Sequence, residues 1–115
     1  MRCLLVDDNR AFLETARTFL ALEGMAVAGA ASNATEALRQ ARALQPDLVL
    51  VDIVLGDENG FDLASRLVGD GAAVIMISSG AEADYADLIA ESPAAGFLSK
   101  LELSAVGIRR ILGRA

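Results

Sequence analysis

The sequence predicts an α/β fold, a doubly wound and mainly parallel five-stranded sheet with five helices covering both of its faces. Two observations carry that expectation. Short aliphatic runs alternate with longer stretches of helical spacing, five times along 115 residues. The clearest of the runs, Leu48-Val49-Leu50-Val51, is apolar throughout, as a strand buried on both faces must be. Right-handed crossovers would then bring the carboxyl ends of all five strands to one edge.

The elements follow in order. Leu4-Leu5-Val6 reads as a buried strand that stops at Asp7-Asp8. Phe12, Leu13, Ala16, Phe19 and Leu20 share one face of a first helix, with Asn9 as its N-cap and Glu23-Gly24 as its stop. Met25 to Ala30 gives a second, weaker strand. Asn33 with Glu36 three residues on resembles a capping box, and Leu38, Ala41 and Leu44 continue that helix until Pro46 ends it. The third strand ends at Asp52, and Gly56 to Gly60 form a loop. Phe61 to Leu67 make a short helix closed near Gly69 and Gly71. Ala73 to Ile77 form a fourth strand, followed by Ser78-Ser79-Gly80. Tyr85, Leu88 and Ile89 lie on a fourth helix that Ser92-Pro93 terminates. Gly96-Phe97-Leu98 is a brief fifth strand before Lys100. Ser104 caps a last helix carrying Ala105, Ile108, Ile111 and Leu112.

Composition narrows the function classes. Hydrophobic residues make up 54 % of the chain, too many for a disordered segment. The net charge of −6 disfavours unaided binding to a nucleic-acid backbone and suits a chain that meets proteins or a cation. A single cysteine, Cys3, allows no internal disulfide and fits a reducing cytoplasm. No run reaches membrane-spanning length, and the N-terminus lacks a signal-peptide pattern. The expectation is one cytoplasmic domain over residues 1–115, with no linker and no output domain.

The polar residues fall at the strand ends. Asp7 and Asp8 follow the first strand, Asp52 ends the third, Ser78 ends the fourth, and Lys100 follows the fifth. In a doubly wound sheet that edge is where ligands bind. Three carboxylates and one ammonium sum to −2, and carboxylates so close repel. A divalent cation neutralises the sum. Mg²⁺ suits the oxygen donors and keeps waters that a phosphate can replace, with Mn²⁺ as an alternative. Asp is a known phosphoryl nucleophile, and Lys100 and Ser78 supply charge and a hydrogen-bond donor for phosphoryl oxygens.

In these pieces the sequence resembles the receiver domain of bacterial response regulators. The resemblance rests on Val6-Asp7-Asp8, Val51-Asp52-Ile53, Asn59-Gly60, Ile77-Ser78 and Gly96-Phe97-Leu98-Ser99-Lys100, in that order, from Leu4 to about Leu112. It implies a flavodoxin-like strand order, 2-1-3-4-5. It also implies roles: Asp52 as phosphoacceptor, Asp8 as direct metal ligand and Asp7 as a ligand acting mainly through water. The backbone carbonyl of Val54 would complete the protein's share of the metal shell. Ser78 would be the switch hydroxyl, Lys100 the phosphoryl-binding lysine, and Phe97 the aromatic switch. A histidine kinase or phosphotransfer protein would donate the phosphoryl group, and a downstream protein would read the helix 4–strand 5–helix 5 face, which also has room for a homodimer. The implied function is a signalling switch rather than an enzyme.

Three residues depart from the family's habits. Leu101 stands where Pro usually follows the lysine, Gly56 where Pro is frequent, and Phe97 lacks a hydroxyl. The two positions that orient hydrolytic water in the family are Val54 and Gly80 here, neither with a polar side chain, which implies slow loss of the phosphoryl group. Simpler readings exist for each residue. Asp7 and Asp8 could serve the first helix dipole, Lys100 could be a surface charge and Phe97 plain core. Asp57, Glu58, Asp84 and Asp87 read as solvated charges. Three other functions compete: a receiver-like interaction module that is never phosphorylated, a flavin- or dinucleotide-binding module, whose phosphates the Asp7-Asp8-Asn9-Arg10 loop would repel, and an aspartate-nucleophile phosphatase. The phosphatase usually spaces its acids Asp-x-Asp, whereas these are adjacent.

Overall fold

The computed structural model describes residues 1–113, so the expected domain end at residue 115 lies outside the described residues. Five parallel strands form the main sheet: β1 (Arg2–Val6), β2 (Ala26–Ala31), β3 (Leu48–Asp52), and, after a short ribbon, β6 (Ala73–Ser78) and β7 (Gly96–Ser99). Their order is β2-β1-β3-β6-β7. Counting these five alone, that is the 2-1-3-4-5 order the resemblance implied. The ribbon was not foreseen. Val54–Leu55 (β4) pairs antiparallel with Glu58–Asn59 (β5), turning the expected loop into a two-residue hairpin closed at Gly56, whose φ is +60°.

The strands separate two cores by simple alternation. Leu4, Val6, Val49, Val51, Val74 and Met76 face one way, toward α2 (Ala34–Leu44) and α3 (Gly60–Gly69). Cys3, Leu5, Leu48, Leu50, Ile75 and Ile77 face the other, toward α1 (Arg10–Leu22) and α5 (Ala105–Leu112). Both faces are aliphatic because both are covered, which is why β3 shows no polar position before Asp52. Burial also silences Cys3: its thiol is pushed up to about 11, so it stays protonated.

The helix starts obey their caps. The side chains of Asn9, Asn33 and Ser104 accept hydrogen bonds from the backbone N–H groups of Phe12, Glu36 and Gly107. Glu58 is no simple solvated charge. Its Oε1 accepts from the N–H of Ala34 at 3.0 Å, tying the ribbon to the first turn of α2.

The fourth helical segment differs from expectation. Tyr85 closes a 3₁₀ turn (Glu82–Tyr85) ahead of the helix, and α4 (Ala86–Glu91) has only six residues, none fully buried. The sequence Ala-Glu-Ala-Asp-Tyr offers no polar cap and few large apolar side chains, so this segment lies on the first core through Tyr85 and Ile89 alone. Ser92 and Pro93 end it as expected.

Gly60, the first residue of α3, packs directly under the site. A Cβ there would stand 2.0 Å from the carbonyl oxygen of Asp52, and the Gly60 N–H already donates to the carbonyl of Ile53. Only glycine permits that approach. Gly60→Ala must push the end of β3 away, and the expected loss is about 1–3 kcal/mol of unfolding free energy, measured by urea denaturation.

Candidate functional site

The parallel strands bring the predicted residues to one edge. Asp7 follows β1 and Asp52 ends β3; both are buried. Asp8, one residue on, is exposed at the rim. One carboxylate oxygen from each of the three lies within 4.8 Å of the others. Ser78 ends β6 and is buried. Lys100 opens a short 3₁₀ turn (Lys100–Glu102) after β7 and reaches back over the acids.

The contacts at this edge are specific. The Lys100 ammonium lies 2.6 Å from Asp7 Oδ2 and 3.1 Å from Asp52 Oδ2. The first contact is an ion pair in which Oδ2 receives no hydrogen bond of ordinary geometry; the second is also a hydrogen bond. Asp7 Oδ1 accepts from the N–H of Asn9, and Asp52 Oδ1 accepts from the N–H of Val54 at 3.1 Å. Each buried carboxylate thus has one oxygen fixed by the chain and one turned toward the lysine. Ser78 Oγ accepts from the N–H of Gly80 at 2.9 Å, so the hydroxyl proton remains available for another acceptor.

Electrostatics favour a further positive charge at this point. Burial raises the Asp52 carboxyl above the ordinary carboxylate range. The Val54 N–H opposes that rise, the Asp7 charge adds to it, and Lys100 opposes it. Burial by itself would depress the Lys100 ammonium, but the Asp7 and Asp52 carboxylates outweigh it and hold the group above its usual value. Lysine therefore stays charged through the neutral range.

Other expected residues sit close by without joining the cluster. Val54 lies on β4, half exposed, and meets the acids through its backbone N–H on Asp52 Oδ1. Phe97, on β7, is half-buried and packs against the core that holds Met76 and Tyr85. The helical spacing marks Phe12 only as part of a helix face. That residue also lies beneath the lysine, with Lys100 Nζ 4.5 Å from its ring centroid. Nothing in local periodicity distinguishes that ring from core, because the contact depends on where β7 delivers Lys100.

The chain is similar to known proteins. Residues 3–109 match the family described as the response regulator receiver domain. The chain belongs to that family. Among curated relatives, a putative transcriptional regulator of Pseudomonas aeruginosa is 31 % identical over 103 residues, which are 88 % of this receiver and 50 % of that protein. The DNA-binding response regulator MtrA of Mycolicibacterium paratuberculosis is 36 % identical over 89 residues, 76 % of this receiver and 38 % of MtrA. The receiver thus spans half or less of the length of these relatives. The signal receiver domain of a modulated diguanylate cyclase from Desulfovibrio desulfuricans superposes with a TM-score of 0.82 at 33 % identity, covering 99 % of this chain and 91 % of that one. A response regulator protein from Burkholderia pseudomallei, solved with a phosphorylated aspartic acid, calcium ion and citrate, superposes with a TM-score of 0.82 at 27 % identity. That match covers 96 % of this chain and 65 % of that one. Among the described residues, no helix is long and apolar enough to cross a membrane.

The raised Asp52 carboxyl has a consequence for stability. The folded chain holds that proton more tightly than the unfolded chain, so ionised Asp52 costs stability. The cost is absent below its unfolded value near 3.8 and complete above the raised folded one. Asp52→Asn, melted without divalent metal, is expected to gain thermal stability at neutral pH, and the gain should shrink as the pH falls into the carboxylate range. A gain that is constant with pH would show that ionisation is not its source.

Proposed function

We propose that this receiver accepts a phosphoryl group on Asp52, with help from Mg²⁺, and thereby switches a protein-interaction surface. The observation that carries the reading is the meeting of Asp7, Asp8 and Asp52 oxygens within 4.8 Å, opposite the Lys100 ammonium. The donors are mutually repelling oxygens, and buried Asp7 Oδ2 accepts no hydrogen bond among the described residues and pairs with the Lys100 ammonium. That set fits a hard divalent cation, Mg²⁺ or Mn²⁺, which Asp8, Asp7 (mainly through water), Asp52 and the backbone carbonyl of Val54 would hold. When bound, the cation neutralises carboxylate and phosphoryl charge.

The chain's own residues do the rest. The donor is a phosphohistidine of a histidine kinase or phosphotransfer protein. An oxygen of Asp52 attacks phosphorus in line, an O–P bond forms, the P–N bond breaks, and the electron pair returns to the imidazole nitrogen, which takes up a proton. The bond from the Val54 N–H holds Oδ1 of Asp52 and so fixes the plane of the carboxylate. Lys100 shifts its charge from the carboxylates to the arriving phosphoryl oxygens. Ser78 donates its free hydroxyl proton to one of those oxygens. Because the same Oγ holds the N–H of Gly80, its movement draws the loop after β6 inward. Phe97 follows by repacking, and α4, β7 and α5 present a changed face to a downstream protein or a second copy. The product is a signal, not a released metabolite, and the protein works as a switch rather than an enzyme.

The expected result of phosphotransfer is direct. Label from a small phosphodonor should enter the chain with Mg²⁺, stay out without it, and stay out of Asp52→Asn. Labelling of Asp52→Asn at the wild-type level would exclude Asp52 as acceptor. A chain that never takes label would favour an interaction module, and one that releases phosphate from small esters would favour a phosphatase.

The lifetime of the phosphorylated form follows from Val54 and Gly80. Val54 is half exposed beside the acids and offers no group to orient water. Gly80 is the poorer place to add one, since a Cβ there would stand 3.3 Å from the Tyr85 ring. Loss of the phosphoryl group should therefore be slow, and Val54→Asn should speed it, as followed by decay of the label. An unchanged decay would remove Val54 from the explanation.

A further inference from the structure

We propose that Phe12 is a positioning residue for phosphoryl transfer: its ring holds the Lys100 ammonium in place beside Asp7 and Asp52. The inference rests on the phosphoacceptor reading of Asp52 and adds to it a residue with no polar group. Lysine carries four rotatable side-chain bonds, so its ammonium needs constraints to stay over a site. The backbone around Lys100 supplies few. The residue opens a turn of only three residues, and its neighbour Leu101 is 94 % exposed and so lends it no packing. Yet the Lys100 side chain is only 15 % exposed. Its ammonium meets Asp7 Oδ2, Asp52 Oδ2 and, 4.5 Å away, the centroid of the Phe12 ring.

The ring is itself well placed. The Phe12 N–H donates to Asn9 Oδ1, and the Asn9 N–H donates to Asp7 Oδ1. One stretch of six residues therefore fixes both the carboxylate and the aromatic face that the lysine touches. Phe12 is partly buried and packs against the core cluster that includes Leu13 and Ile77. The two kinds of contact differ in what they allow. A carboxylate binds the ammonium along a direction, whereas the ring face attracts it over an area. As Lys100 turns from Asp7 toward a phosphoryl oxygen, the ring keeps attracting the charge and shields it from water. Phe12 thus shapes the path of the lysine without touching the reacting atoms.

The test uses the whole chain with acetyl phosphate as phosphodonor and saturating Mg²⁺, together with NMR of the lysine ε-methylene protons. In the wild type these protons of Lys100 should be shifted upfield by the ring. The shift should vanish in Phe12→Leu, which keeps apolar bulk, and persist in Phe12→Tyr, which keeps the ring. Phe12→Leu should slow labelling of Asp52 by about two- to fivefold, the size of an ordinary cation–π contact, and Phe12→Tyr should restore the rate. In a Lys100→Met background, Phe12→Leu should cost nothing further. An equal loss in that background would make Phe12 merely structural and overturn the proposal. So would normal labelling of Phe12→Leu, or the absence of any upfield shift. If the shift is present but the wild type takes no label, the phosphoacceptor reading has failed and this role fails with it.

Discussion

A single ammonium between two buried carboxylates governs this molecule's working edge. Asp7 and Asp52 end neighbouring strands, and neither can move away from the other without breaking the sheet. Two unit charges about 4 Å apart at an effective dielectric of about 20 interact by about 4 kcal/mol, so the pair is strained unless a cation stands between them. Lys100 provides that cation from two strands away. A lysine suits the place better than an arginine would, since a compact ammonium on a flexible stem can touch both oxygens and still shift its weight to a new partner. The remaining excess of negative charge is what makes the edge receptive to a divalent ion.

The architecture exists largely to hold those ends still. Aliphatic residues on both faces of β1, β3 and β6 lock the strands between two helical layers, which leaves the register with no slack. Gly60 then brings the start of α3 against the Asp52 carbonyl, and the Val54 N–H fixes its carboxylate. The ribbon from Val54 to Asn59 returns the chain tightly enough for both contacts to form, and Glu58 anchors that ribbon to α2. The core packs tightly up to the last residue of β3, and that last residue is an acid whose burial raises its carboxyl.

Much of this was legible in the sequence, because the signals were local. Four aliphatic residues ending in Asp52 can hardly be anything but a buried strand, and Asn9, Asn33 and Ser104 announced helices that begin where they stand. Convergence of Asp7, Asp8, Asp52, Ser78 and Lys100 followed from the topology of a parallel sheet alone. The missed features are those that depend on distance in space rather than spacing in sequence. Gly56 to Gly60 carries turn residues, which hide the two-residue pairing of the ribbon. Glu58 caps a helix 24 residues earlier, a partner no window on the sequence contains. Phe12 fits a helical stripe equally well whether its ring meets core or ammonium. The segment near Tyr85 was read as more helical than it is, since three apolar residues at helical spacing do not reveal that nothing buries them fully.

One side of the edge, formed by α1, α3 and the ribbon, is held by caps, buried leucines and the Gly60 contact. The other side runs from Ser78 through Gly80 into a 3₁₀ turn and a six-residue helix with no fully buried residue. Local stability follows the number of buried apolar contacts, so the second side opens at lower cost than the first. A charge added at Asp52 pushes on both. If Asp52 is the acceptor, the side joined to Ser78 yields, through the hydroxyl that holds the Gly80 N–H. On the proposed reading, then, the direction of the signal is set by an asymmetry of packing: the site is rigid where it must bind and lightly held where it must move.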